Sequence, residues 1–296
     1  MLTLPTFSII TPSFRQLHWL RLCAASVADQ GSVEHEHIVQ DAGTGSDLEA
    51  WAQTVPNLSL YVEKDQGMYD AVNRGLKRAR GTICSYLNCD EQLLPKTLGH
   101  VVAFFDKNPE IDVLFGDSIL ISEGGEPLSY RRTVVPILSY VEHVQLNAPT
   151  CATFFRRSII DRGLLFNPQW RAIGDQVWIG DLIRAGVRMA TLRKPLAVFT
   201  FTGENLGATA ISKQESARHR SSVPRATDLR TTVEVIWHRV RKLFAGAYWR
   251  RQVDIEIYTL ESPSARRRQS ARVGFSWPRY ASERSTSSTR TSREKI

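Results

Sequence analysis

Residues 61–93 read Tyr61-Val62-Glu63-Lys64-Asp65-Gln66-Gly67-Met68-Tyr69-Asp70-Ala71-Val72-Asn73-Arg74-Gly75-Leu76-Lys77-Arg78-Ala79-Arg80-Gly81-Thr82-Ile83-Cys84-Ser85-Tyr86-Leu87-Asn88-Cys89-Asp90-Glu91-Gln92-Leu93. The pattern is loop, helix, turn, strand, acidic turn. Met68, Val72 and Leu76 recur every four residues, with Ala71 and Ala79 beside them, which predicts a helix over 68–79. Gly81 stands just past its last basic turn, where a C-cap glycine belongs. Ile83 to Leu87 reads as a short buried strand that stops at Asn88-Cys89-Asp90-Glu91. Clustered carboxylates at a strand's carboxyl end suit a hard divalent cation such as Mg²⁺ or Mn²⁺. In an open α/β sheet that is also where ligands bind. A solvated acidic turn is the alternative for Asp90 and Glu91 taken alone.

The flanking chain repeats the same rhythm. Phe7 to Thr11 is a strand closed by Pro12, and Leu17 to Gln30 has helical spacing. Glu36 to Gln40 is a second strand, ending at Asp41 and a glycine-rich turn. A carboxylate there can accept hydrogen bonds from a base or ribose, and Ser46 or Asp47 serves helix capping better. A short helix over 48–54, a strand over 58–62, a helix over 97–108 and a strand over 111–115 ending at Gly116-Asp117 follow. Gly124-Gly125 marks a hairpin turn. Ala152 to Arg156 and Pro195 to Phe201 are further strands, and between them an amphipathic helix opens at Asp175 and ends near Gly186. Strands alternating with helices predict an α/β fold with a mixed, mainly parallel sheet flanked by helices.

Charge divides the chain. The net charge is +8, yet residues 1–212 hold 19 Lys+Arg against 22 Asp+Glu, while residues 213–296 hold 19 against 8. The mildly acidic first part argues against a nucleic-acid-binding core, and no nucleic-acid partner is expected. Cys23, Cys84, Cys89 and Cys151 form no Cys-x-x-Cys pair and no zinc spacing, which fits a reducing compartment. Met1 to Pro5 carries no basic leader, so no signal peptide is expected, and no run of 18 apolar residues predicts a membrane span.

Asp65 to Gly75, Ala79 to Gly81 and Tyr86 to Glu91, together with Ser8 to Phe14 and His37 to Gly43, resemble the family 2 glycosyltransferases of the GT-A (Rossmann-like) fold. The resemblance covers roughly the first two thirds of the chain. It implies an inverting transfer of one sugar from a nucleotide-sugar donor, a UDP-sugar, to a hydroxyl of a glycan or lipid-linked acceptor in surface polysaccharide biosynthesis. It assigns Asp175 as the catalytic base, standing in Gly174-Asp175 where the family usually has Glu-Asp. Donor contacts fall to Thr11, Pro12, Asp41, Asp65, Gly67, Asp70, Asn73, Arg74 and Asn88. Asp90 and Glu91 are assigned to a divalent cation, Asn88-Cys89-Asp90 standing where the family has Asp-x-Asp. The Gln-x-x-Arg-Trp motif of processive synthases is absent from the sequence, which favours single-sugar transfer.

Beyond residue 212, Val233, Ile236, Trp237, Val240, Leu243, Phe244 and Ala247 share one helical face, with Arg230, His238, Arg241, Lys242, Arg250 and Arg251 off it. Such a helix over 229–251 suits an anionic membrane surface, or packing on the domain or a second protomer. The expected division is a glycosyltransferase domain over 1–212, a basic helical extension over 213–262 and a Ser/Arg-rich tail over 263–296 that does not pack. A cytoplasmic protein, peripheral on the inner membrane face, is expected. The competing readings are a non-catalytic nucleotide-sugar or glycan-binding subunit, and a membrane- or nucleic-acid-binding adaptor acting through the basic C-terminal region.

Overall fold

A computed structural model describes residues 5–31, 33–203, 205–223 and 229–277. Strand β1 (Phe7–Ser13), helix α1 (Leu17–Ala28), β2 (His35–Asp41), α2 (Ser46–Ala52), β3 (Leu58–Val62), α3 (Met68–Arg78) and β4 (Ile83–Tyr86) form the first half. The short β5 (Glu91–Leu93), α4 (Thr97–Lys107), β6 (Val113–Ser122), β7 (Pro127–Arg131), α5 (Leu138–His143), β8 (Thr153–Arg156), α6 (Ser158–Asp161), α7 (Gly174–Arg184) and β9 (Met189–Phe201) complete the sheet. The strand order is β3-β2-β1-β4-β8-β6-β9-β5, with β7 pairing β6. Strands β3, β2, β1 and β4 are parallel, β6 is parallel to β9, and β8 and β5 run antiparallel to their neighbours. The mainly parallel α/β sheet expected from the sequence is the one observed.

This order makes a topological switch point at β1. From β1 the chain goes by α1 to β2 on one side, and β4, reached through α3, lies on the other. A crevice at such a switch point lies outside the carboxyl ends of the strands. Here β1 pairs β4 only from Phe7 to Ile10, whereas it pairs β2 as far as Ser13. Pro12, which has no N–H to give, therefore sits where the β4 side has already parted. Its carbonyl accepts from Cys89 Sγ at 3.3 Å.

Helix α3 lies close on β1 and β2. A Cβ on Gly75 would stand 2.5 Å from Ile10 Cγ2, and one on Gly81 would stand 2.5 Å from the Phe7 backbone. The far end of α3 is tied down by Glu36, which accepts from Ser8 Oγ and from the Arg80 backbone and guanidinium. Tyr86, Phe155, Phe166 and Trp178 fill the core between the sheet and α3 and α7.

The basic region departs from expectation. Helix α8 (Ala210–Ser222) crosses the expected boundary at residue 212, and α9 (Leu229–Phe244) is shorter than the predicted 229–251. Residues 251–273 form a hairpin, β10 (Arg251–Thr259) and β11 (Ser262–Val273), where a helical extension and a non-packing tail were expected. Val253, Ile255 and Ile257 alternate along β10 and bury on Ile119, Ile121 and Val198. The basic composition packs because its charges find partners. Arg266 Nε and Nη2 grip the two oxygens of Asp29 at 2.6 and 2.7 Å, and Tyr258 Oη donates to the same carboxylate. Gln92 and the Tyr258 backbone exchange two hydrogen bonds. Residues 278–296 of the expected tail lie outside the described residues. Replacing Arg266 with Ala should lower unfolding stability by about 2 kcal/mol in a urea titration, the scale of hydrogen bonds to a charged group. An unchanged midpoint would show that the hairpin docks by its apolar face alone.

Candidate active site

Two strand ends frame the crevice. Asp41 closes β2, fully buried, and turns its carboxylate on its own loop. Oδ2 accepts from Gly43 N at 2.8 Å and Thr44 N at 2.6 Å, and Oδ1 from Thr44 Oγ1 at 2.6 Å. Asp41 thus shapes the β2–α2 turn. Thr11 points inward, its Oγ1 2.8 Å from His37 Nε2, which leaves Pro12 at the crevice edge of β1.

The loop into α3 is built from capping bonds. Asp65 Oδ1 accepts from Gly67 N, and Asp70 Oδ2 accepts from Gln66 N and from Arg74 Nη2 at 2.9 Å. Gly67 holds φ +127°, a backbone that side-chain-bearing residues rarely adopt. Arg74 also reaches Glu63, the carboxylate that Arg78 and Gln40 bind. Asn73 departs from its expected donor role. Its Nδ2 donates to Phe166 O at 2.7 Å and its Oδ1 accepts from Phe166 N at 3.0 Å, so it clamps the chain that leads to α7.

At the end of β4 the two acidic residues separate. Glu91 belongs to β5, is 1% exposed, and accepts from the Asn88 backbone N–H at 2.8 Å. Its carboxylate braces the turn, which is a poor position for a cation ligand. Asp90 is the half-buried one. Its Oδ2 accepts from Asn205 Nδ2 at 3.1 Å, and Asn205 is fixed in turn by Thr200 O and Thr202 N. Burial pushes both carboxyls above their ordinary values, and for Glu91 the charge of Asp90 adds to it. Among the described residues no three His, Cys, Asp or Glu side chains converge into a cation cage.

Asp175 stands in the first turn of α7, where the helix dipole favours a carboxylate. Tyr69 Oη donates to its Oδ1 at 3.2 Å, and Gln176 N donates to the same oxygen. A Cβ on Gly174 would stand 2.6 Å from the Tyr69 ring, so glycine at this position lets the tyrosine lie against the helix start. That ring stacks on Phe166 with centroids 5.5 Å apart. Glu215 of α8 holds the preceding loop, accepting from the backbone N–H groups of Arg171, Ala172 and Ile173. Burial raises the Asp175 carboxyl above the usual range, against the hydrogen bonds from Gln176 and Tyr69. Asp175 also contributes to the raised pKa of Glu91, so the two carboxylates share one electrostatic neighbourhood.

Sequence reading missed Tyr69, Asn205 and Glu215. Tyr69 lies inside the 68–79 helix pattern, whose spacing gives no sign of its partner. The other two act on partners 115 and about 43 residues away, which local spacing does not reveal.

A family model described as glycosyl transferase family 2 matches residues 8–163. A PGL/p-HBAD biosynthesis glycosyltransferase of Mycobacterium bovis is 36% identical over 124 residues, 40% of this chain and 48% of the relative. The chain thus spans about half the length of that relative. A glycosyltransferase of Mycobacterium tuberculosis is 30% identical over 217 residues, 69% of this chain and 78% of the relative. Among solved structures, S. aureus TarS 1-349 in complex with UDP-GlcNAc superposes with a TM-score of 0.59 at 18% identity, over 82% of this chain and 75% of that one. That likeness concerns the fold, GT-A.

Replacing Tyr69 with Phe removes a donor that favours ionised Asp175, so the carboxyl should rise further. Any activity that needs the Asp175 carboxylate should then begin about one pH unit higher, the scale of one hydrogen bond to a charge. An acid limb of kcat/KM that does not move would show that the Tyr69 bond does not tune this group.

Proposed function

The chain belongs to glycosyl transferase family 2, and from that premise we propose that it transfers one sugar from a UDP-sugar to a hydroxyl of a glycan or lipid-linked acceptor in surface polysaccharide biosynthesis. One observation carries the reading. The helix grown from the donor-motif loop places Tyr69 on Asp175, so the crevice and the candidate base are built as one unit.

Donor contacts are proposed for the carboxyl edge of β1 at Pro12, the turn shaped by Asp41, and the α3 entrance at Asp65, Gly67, Asp70 and Arg74. Asn88 lines the strand end. The Asp175 carboxylate takes the proton of the acceptor hydroxyl as its oxygen attacks the anomeric carbon. The bond from that carbon to the donor phosphate breaks opposite the attack, and its electron pair leaves with the diphosphate. Inversion at the anomeric carbon is part of this proposal. Raised by burial, Asp175 is a stronger base once ionised than an exposed aspartate.

The residues present fit a divalent cation that arrives with its donor. Asp90 offers a carboxylate oxygen whose neighbour is a neutral amide, and Mg²⁺ commonly takes one or two carboxylates plus substrate phosphates and waters. When bound, Mn²⁺ or Mg²⁺ supplies charge neutralisation at the departing diphosphate. Glu91 supports the turn from behind.

A membrane surface is the proposed place of work. No helix among the described residues is long and apolar enough to cross a membrane. Helix α9 turns its apolar face outward, with Trp237 59% and Phe244 80% exposed, and Trp249, beyond the helix end, is exposed too. Amphipathic helices with such aromatics and flanking arginines lie in anionic interfaces.

Asp175→Asn should lower turnover about a hundredfold or more while UDP affinity is kept, since only the proton acceptor is removed. Asp90→Asn should weaken UDP binding in the presence of Mn²⁺ and leave metal-free binding unaltered. Calorimetric titration with UDP, with and without Mn²⁺, reads the second. Full turnover in Asp175→Asn, or Mn²⁺ enhancement kept in Asp90→Asn, would remove the respective role.

A further inference from the structure

A second concave site lies away from the donor crevice, between β7, α9 and the turn after α9. Tyr130, Arg132, Asn147, Lys242, Tyr248 and Phe275 are among the residues that line it. Its cations are buried. The Arg132 side chain is 8% exposed and Lys242 is 7% exposed. Arg132 Nη1 lies 3.1 Å from Asp117 Oδ2, but its Nε has no hydrogen-bond partner among the described residues. Lys242 Nζ lies 5.6 Å from the ring centres of both Tyr140 and Tyr248, and no carboxylate stands within ion-pair distance of it among the described residues. Burial, with the neighbouring Arg131 and Arg239, pushes its ammonium down to about 8.

The charges around the cavity do not balance. Asp117 is taken up by Tyr130 Oη, the Thr133 backbone and Arg132. Arg131 donates to Phe275 O and Arg251 to Gly246 O, both neutral acceptors. Unpaired charges away from water are costly, and clustered ones repel as well. An anion with several oxygens, reached by a guanidinium edge and an ammonium, relieves both costs. Asn147 Oδ1, also without a partner among the described residues, adds an acceptor for a hydroxyl next to that anion.

The site lies at the same edge of the sheet as the candidate active site. Phe115 pairs Thr153, and Cys84 pairs Phe155, so Phe115 is level with Tyr86 across β8. Asp117 is two residues further along β6, past the end of β4. Helix α5 bridges the two sites. It binds α7 through Gln176 Nε2 and Val141 O, and α9 through Ser139 and Glu234 and through Tyr140 against His238.

We propose that this partly open cavity, about 20 Å³ and so little larger than one water, seats an oxygen of an acceptor phosphate held at its mouth, presenting the hydroxyl beyond it to Asp175. The proposal rests on the glycosyl-transfer reading and names the acceptor's chemistry: a phosphate ester, lipid-borne or soluble. The exposed apolar face of α9 favours the lipid-borne form, since Lys242 enters the cavity from the opposite face of the same helix.

Thermal unfolding of the full chain, saturated with UDP and titrated with phenyl phosphate, tests it. Saturating UDP blocks the donor crevice, so a remaining rise in Tm reports a second anion site. Lys242→Met should unfold at a higher temperature than the parent without phosphate, because a buried unpaired charge is gone. It should lose the phosphate response, with apparent affinity down about tenfold or more. Arg132→Gln should weaken the response in the same way. Phosphatidic acid vesicles against phosphatidylcholine vesicles read the source. A preference for phosphatidic acid that falls in Lys242→Met assigns a lipid phosphate, and no preference assigns a soluble one. A phosphate response abolished by UDP, or unchanged in Lys242→Met, overturns the proposal. A flat UDP titration with the phosphate response intact would instead sink the donor reading and leave the anion site standing.

Discussion

Helix α3 approaches β1 more closely than any side chain at residue 75 would allow, since a Cβ there would overlap Ile10. The site depends on that approach. Held at this distance, α3 carries Tyr69 to the start of α7 and Asn73 to the backbone of Phe166. Phe166 in turn stacks between Tyr69 and Trp178, with centroids 5.5 and 4.3 Å away. The loop that frames the donor crevice and the helix that offers the carboxylate are therefore fixed by the same few contacts. Interiors packed at this density transmit small displacements, so a change at Gly75 would be felt at Asp175.

Glycine recurs where these contacts are tightest. Gly81 lets the chain pass the Phe7 backbone, and Gly174 makes room for the Tyr69 ring. The Gly174-Asp175 pair, where the family usually has Glu-Asp, thus has a local steric reason. A longer side chain at 174 would push Tyr69 away from the carboxylate that it contacts.

The sequence made the layout legible wherever the signal was local. The period-four pattern of Met68, Val72 and Leu76, the apolar run before Asn88 and the β-rich run before Pro12 each placed an element within a residue or two of where it lies. What a side chain does at its tip was less legible. Asn73, Asp41 and Glu91 are polar residues of the crevice region, yet each turns to a backbone donor or acceptor whose position depends on the folded chain. A buried polar group must find a partner, and spacing does not say which partner is nearer. The hairpin at 251–273 was missed for a related reason. Val253, Ile255 and Ile257 alternate as a strand should, but the arginines of β11 argued against packing until Asp29 supplied a counter-charge from the other end of the chain.

Helix α9 combines both difficulties. Its apolar stripe was visible from periodicity, and the ordinary expectation is that such a stripe faces the core. The chain does the reverse. His238 is fully buried against Tyr140 and Lys242 is nearly so, while Val233, Ile236, Trp237 and Phe244 face outward. Both halves of this arrangement cost free energy in water, because apolar surface stays hydrated and a charge is desolvated. A helix turned this way is consistent with partners on both sides: an apolar medium outside and an anion within. The two costs sit on opposite faces of one helix a few residues apart, so relief of one without the other would leave the remaining cost to be met by the domain alone.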